Sequence, residues 1–201
     1  MRKIKKFKIP IYTYDILLKA KKRKIDLFAL GLAEQESAKE YIASIAAALE
    51  PSTMFDFITP EAGAAIGVTG GAGSLGVITL GAAFAEKVKA ISDPELFRLA
   101  ETAALVFAET GLKMVTELIG QEVAAEGFAP GDPSQLYACP APETENKPAC
   151  QSDPKALAAV LRRLNADKIN VSLNEGSLNP KYSLIFTIPW LAKKAKKSAA
   201  R

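Results

Sequence analysis

Apolar residues recur along this chain at two periods, and the switches between them mark out helices and strands. A helical period runs from Tyr14 to Lys24 and again from Glu34 to Leu49. In the second stretch Ile42, Ile45 and Leu49 share a face, and Pro51 lies just past the end. Met54-Phe55-Asp56-Phe57-Ile58 alternates and stops at Pro60, which reads as a strand. Val77-Ile78-Thr79-Leu80 reads as a second, more buried strand, followed after Gly81 by a short helix through Ile91. Asp93-Pro94 supplies an N-cap and a first-turn proline. The helical pattern that follows runs to about Glu126, with Gly111 and Gly120 as its weak points.

Residues 127–152 are rich in proline, hold both cysteines and read as one long loop. Asp153-Pro154 repeats the cap and opens a helix to about Leu164. Ile169–Leu173 and Ser183–Ile188 read as a strand pair joined across Asn179-Pro180. At the start, Ile9-Pro10-Ile11-Tyr12 reads as extended, with Thr13 capping the first helix; after Trp190 the chain reads as frayed. No internal repeat is visible. This order predicts an α+β fold, a largely antiparallel twisted sheet with a long central helix and flanking helices. The expected boundaries are one domain over residues 9–190 between a basic tail at 1–8 and another at 191–201.

Composition narrows the chemistry. The 201 residues include no histidine and two cysteines. That removes histidine general bases, Ser–His and Cys–His pairs and imidazole zinc sites. Two thiols cannot complete a structural zinc site, and whether the chain turns over a substrate stays open. Cys139 and Cys150 are expected as free thiols, with a cytoplasmic location, because nothing near the start has the length of a secretory apolar region.

The net charge of +4 divides unevenly. Residues 1–24 hold ten basic residues and one acid, residues 193–201 hold five basic residues and none, and the body between is net −10. Basic ends on an acidic body read as solvated segments or a first helix face suited to a protein partner, with neither nucleic acid nor a membrane expected. The 24 uncharged residues between Glu61 and Glu86 are long enough to span a bilayer, but seven are glycine, so they read as loop plus buried strand.

That stretch contains Gly71-Ala72-Gly73-Ser74-Leu75-Gly76, a match to G-x-G-x-x-G. A dinucleotide site needs a helix opening at the third glycine and an acid about 20 residues on. Here β-branched residues follow, and Asp93 is a helix cap. The Gly70–Gly76 stretch is therefore expected to be a flexible loop leading into a core strand, with NAD(P) binding as an alternative.

Four stretches taken together resemble the activation (reactivation) domain of cobalamin-dependent methionine synthase. They are Val77-Ile78-Thr79-Leu80-Gly81 with Glu86 beyond it, the Ala- and Glu-rich helix from about Leu96 to Glu126, Leu136-Tyr137-Ala138-Cys139-Pro140, and Asn170 to Pro180 followed by Tyr182-Ser183. The likeness is in order over most of residues 9–190. It implies a stand-alone relative that docks on a corrinoid (cobalamin-binding) protein or methyltransferase and assists reductive reactivation or methyl transfer, with S-adenosylmethionine as ligand and cobalamin carried by the partner. By that resemblance Tyr137, Ala138, Cys139, Glu117 and Glu175 are the candidate binding residues, with Glu122 beside Glu117. The family's Arg-x-x-x-Gly-Tyr stretch, aligned on Tyr137, has Asp132 in place of arginine and Leu136 in place of glycine. That reverses the charge facing a ligand carboxylate. Read without the resemblance, Tyr137 packs its ring into the loop, Glu117 and Glu122 belong to a solvated helix face, and Glu175 is a turn residue. Phe7, Tyr12, Tyr14, Phe28, Phe55, Phe57 and Trp190 then read as core or core-edge residues. A non-catalytic interaction module with the same fold is the alternative function.

Overall fold

The structure is a computed structural model and describes residues 1–65, 71–138 and 153–192. Among them, six strands form one antiparallel sheet. Three are β1 (Arg2–Lys5), β2 (Ser52–Ile58) and β3 (Gly73–Thr79), and β8 (Ser183–Ala192) follows β3 in the order β1-β2-β3-β8. The far edge of β8 pairs in succession with β5 (Ser134–Ala138) and β4 (Phe128–Pro130). A separate hairpin joins β6 (Ser172–Asn174) and β7 (Ser177–Asn179). The class is α+β with a long helix, as the periodicity predicts.

That helix, α5 (Pro94–Ala124), runs 31 residues without a break. Asp93 Oδ1 accepts from the amides of Glu95 and Leu96, both at 2.9 Å. Gly111 and Gly120 do not interrupt it, because Gly111 packs against Ile9 and Ile78 and Gly120 against Pro130. Tertiary contact offsets a propensity cost of about 1 kcal/mol per glycine.

The core lies in three connected layers. The first half of α5 packs with α1 (Thr13–Lys22), α2 (Gln35–Ala46) and α4 (Ala82–Lys89) around Phe84, Phe107 and Tyr182. Its second half lays Leu112, Val115, Ile119 and Val123 on one sheet face, against Phe55, Ile78 and Phe186. On the other face α6 (Pro154–Leu164) and the β6–β7 hairpin cover Met54, Val77 and Ile185. Neighbouring residues on β3 thus serve opposite layers, as period-2 geometry requires. The short helix α3 (Pro60–Ala64) starts at the proline that ends β2, with Thr59 as its cap.

Several expectations are corrected. Arg2–Lys5 is a paired strand, not a tail: Lys3 lies opposite Met54 and Lys5 opposite Ser52. The stretch from 127 to 138 is not a loop, since both its short strands pair with β8. The expected pair of Ile169–Leu173 with Ser183–Ile188 does not form. Residues Ala166–Ile169 make a 3₁₀ turn, β6 pairs with β7, and β8 inserts beside β3. Asn165 and Asn170, at φ +49° and +57°, bracket that turn, which takes Ile169 out of any strand. Leu191 and Ala192 extend β8 past Trp190, while residues 193–201 lie outside the described ones. No described helix is long and apolar enough to cross a membrane.

Candidate functional site

The glycine motif comes first, because its fit to a phosphate depends on backbone shape. Gly73 and Gly76 lie inside β3, where all seven residues are buried. No helix opens at Gly76; the chain stays extended to Thr79 and turns into α4 only at Gly81. Gly76 sits between Phe55 and Phe186 in register, and the Phe186 ring lies across it, so a Cβ would come within 2.3 Å of Cζ. The glycine is there to admit an aromatic ring. This corrects the flexible-loop reading for residues 73–76 and removes the geometry a pyrophosphate turn requires. Gly70 lies outside the described residues.

The candidates named by resemblance occupy three places. Tyr137, on β5, is half-buried against the α6 layer, and its hydroxyl accepts from the Leu178 amide at 3.3 Å. Glu175 stands exposed at the β6–β7 turn, where it and Gly176 have φ of +50° and +79°. Positive φ at both central residues is the pattern of a type I′ hairpin turn. Tyr137 therefore touches the hairpin that carries Glu175. Glu117 lies elsewhere, exposed on α5 across the sheet. Sheet and core separate it from Tyr137, so these residues do not converge on one ligand. Glu122 is engaged by Arg2 at 3.2 Å. Ala138 ends β5, and Cys139 and Cys150 lie outside the described residues. Among the described residues no group of three or more acidic or cysteine side chains could hold a metal ion.

The stretches themselves do meet. Thr79 pairs with Ser183 across β3 and β8, and the Leu80 amide donates to the Tyr182 carbonyl at 3.0 Å. The Ser183 hydroxyl donates to the Pro180 carbonyl (2.8 Å) and lies 2.9 Å from Thr79 Oγ1, which accepts from the Gly81 amide. These buried hydroxyls are mutually satisfied, which gives them a structural role. Gly81 has φ +98°, and a Cβ there would lie 2.9 Å from Glu50 Cβ. Thr-Leu-Gly is thus what this strand-to-helix corner demands.

The surface around α1 is a further candidate that pattern reading missed. Ile16 and Ala20 face the core, so Tyr14 and Leu18, two residues or about 200° away, face solvent. Tyr14 is 75% exposed and Tyr12 51%, with Ile11 and Leu18 beside them; Phe28, in the following turn, is 82% exposed. The expectation that Tyr12, Tyr14 and Phe28 are core residues is corrected, while Phe55 is buried. A groove of about 420 Å³ separates α1 from α5, lined by Tyr12, Leu18, Met114 and Glu117 and bridged by the Lys19–Glu109 ion pair. A second, about 590 Å³, flanks the other side at Tyr14, Leu17 and Leu27. Lys21 and Lys22 close the ridge at its C-terminal end. Burial on a helix face could have been read from the spacing of Ile16 and Ala20, but which apolar positions it leaves outside depends on tertiary packing. No protein-family model matches the chain, and no curated protein matches it either.

Proposed function

We propose that this chain is a stand-alone relative of the methionine synthase activation domain that works by docking on a corrinoid-carrying protein. The observation that carries the reading is the meeting of the family-like stretches. Thr79-Leu80-Gly81 and Tyr182-Ser183, about a hundred residues apart, share backbone and hydroxyl hydrogen bonds, and Tyr137 binds the hairpin built from Val171 to Asn179.

S-adenosylmethionine does not fit the described residues in the family manner. Glu117 and Tyr137 face away from each other. Aligned on Tyr137, the family's Arg-x-x-x-Gly-Tyr puts Asp132 at the arginine position and so does not supply the guanidinium that a ligand carboxylate would pair with. The chain's own contribution in this reading is a rigid surface, and the chemistry belongs to the cobalamin its partner carries. The exposed α1 ridge, with two tyrosines and a leucine, has the character of an interface core. The same ridge also favours the second reading, a general interaction module without a corrinoid partner.

Binding of the full chain to a cobalamin-binding domain, measured by biolayer interferometry with that domain loaded and empty, separates the readings. Binding to the loaded domain that weakens at least tenfold in Tyr14→Ala/Leu18→Ala supports the proposal. Equal binding to loaded and empty forms supports the interaction module. No binding to either overturns the corrinoid reading.

A further inference from the structure

The sheet ends in edge strands on both sides, β4 and β5 on one and β1 on the other. Among the described residues β2 is the one strand partner of β1. In an antiparallel pair alternate residues direct their N–H and C=O groups away from the partner, so the outer edge of β1 presents donors and acceptors that no strand among the described residues takes up. Around that edge the side chains are basic. Arg2 turns to the α5 face, where it reaches Glu122. Lys3 and Lys5 turn to the other face, beside the 3₁₀ turn that carries Lys168. All three lysines are exposed. The Lys3 ammonium is held below the usual lysine range, first by lost hydration and then by the charges of Lys5 and Lys168, with Asp167 acting the other way. Like charges gathered from two separate elements repel, and an anionic partner would relieve them.

We propose that the outer edge of β1 accepts an extended acidic peptide as an added strand, its carboxylates facing Lys3, Lys5 and Lys168. The open backbone selects a peptide over a nucleic acid. A phosphodiester accepts hydrogen bonds but donates none, so it would leave the outward carbonyls of β1 unpaired, and β1 carries no aromatic ring on which a base could stack. The lysines select against a second copy of this chain, because two β1 edges would bring Lys3 and Lys5 against themselves. The added strand would take its affinity from main-chain bonds and its specificity from the lysine row. This inference is independent of the corrinoid reading.

The test uses the full chain and a fluorescein-labelled, acetylated seven-residue peptide that alternates glutamate and valine, followed by anisotropy at low salt. Saturable binding is expected, weakened at least tenfold in Lys3→Glu/Lys5→Glu. Amide NMR shifts should concentrate on Arg2–Lys5. Two isomers of the peptide, N-methylated at alternate residues, keep every charge while one or the other loses the bonding edge. A tenfold loss for either isomer supports strand addition, and undiminished binding of both overturns it. Absent binding, equal binding of the lysine–valine counterpart, shifts confined to another surface, or a seven-nucleotide oligothymidylate that binds as tightly would each overturn the proposal as well.

Discussion

At Gly76 the backbone of β3 runs beneath the Phe186 ring with no room for a methyl group. Ring and strand belong to the same antiparallel pair, so neither can withdraw without opening the register that seats Ile78 and Ile188. Gly76→Ala is expected to destabilise the fold by about 1–3 kcal/mol, the usual cost of overpacking a dense core. The shift of the urea midpoint measures it, and an unchanged midpoint would show that Phe186 has another rotamer to occupy. Tyr137 makes a smaller, separable contribution. Tyr137→Phe keeps the ring in the α6 layer but leaves the Leu178 amide without its acceptor. A loss of about 0.5–1.5 kcal/mol is expected, with faster hydrogen exchange confined to the β6–β7 hairpin. If exchange there stays the same, the hydroxyl does not hold the hairpin. Tyr137 was visible in the sequence as a packing residue and as a candidate ligand contact. Its separation from Glu117 was not, because that depends on which of Val77 and Ile78 faces α5, a matter of strand register.

The helix starts at Asp-Pro were the most legible elements, and for a local reason. Asp93-Pro94 and Asp153-Pro154 each place an acceptor beside free first-turn amides and a ring that lacks an N–H of its own. α5 and α6 begin at those prolines. Thr13, expected to cap α1, is instead its first helical residue, and Tyr12 stands at the cap with no side-chain bond. α2 shows the contrast: its N-cap residue, Glu34, makes no side-chain hydrogen bond to the first turn. Asp93→Ala is therefore expected to cost about 1 kcal/mol, and Glu34→Ser to add about 0.5–1 kcal/mol. Thermal unfolding of the two variants should move in opposite directions, and a common direction would mean that capping does not set these ends. The short strands were less legible. Phe128–Pro130 contains a proline, which has no N–H to give a ladder, and Ser134–Ala138 carries an irregularity between Gln135 and Tyr137. Both exist because β8 extends far enough to offer them an edge, and nothing within eight residues of either announces it.

At the scale of the whole molecule, the division of charge along the chain is also a division of structure. An acidic body with basic ends suggested that the first eight residues hang free, because Arg2-Lys3-Ile4-Lys5 buries too little on either side to read as a strand. The body supplies what the segment lacks. β2 offers its edge, Ile4 packs into the α5 face, and Phe7 sits between two core clusters with its amide on the Pro51 carbonyl. Removing residues 1–8 is therefore expected to destabilise the fold by about 2–4 kcal/mol, from half-burial of Ile4 and Phe7 together with the strand pairing. Charge contributes little to that sum, since the exposed ion pair of Arg2 with Glu122 is of the kind that is worth about 0–1 kcal/mol. A second variant keeps strand and charge apart. Lys3→Thr/Lys5→Thr retains residues suited to an edge strand and removes two of the clustered cations. Its stability should stay within about 0.5 kcal/mol of the parent, as for other exposed substitutions. Equal, small losses in both variants would show that the segment contributes through charge alone, which would return it to the solvated tail its composition suggests. A large loss confined to the deletion would establish β1 as part of the fold, with its lysines left over for an interaction that stability does not require.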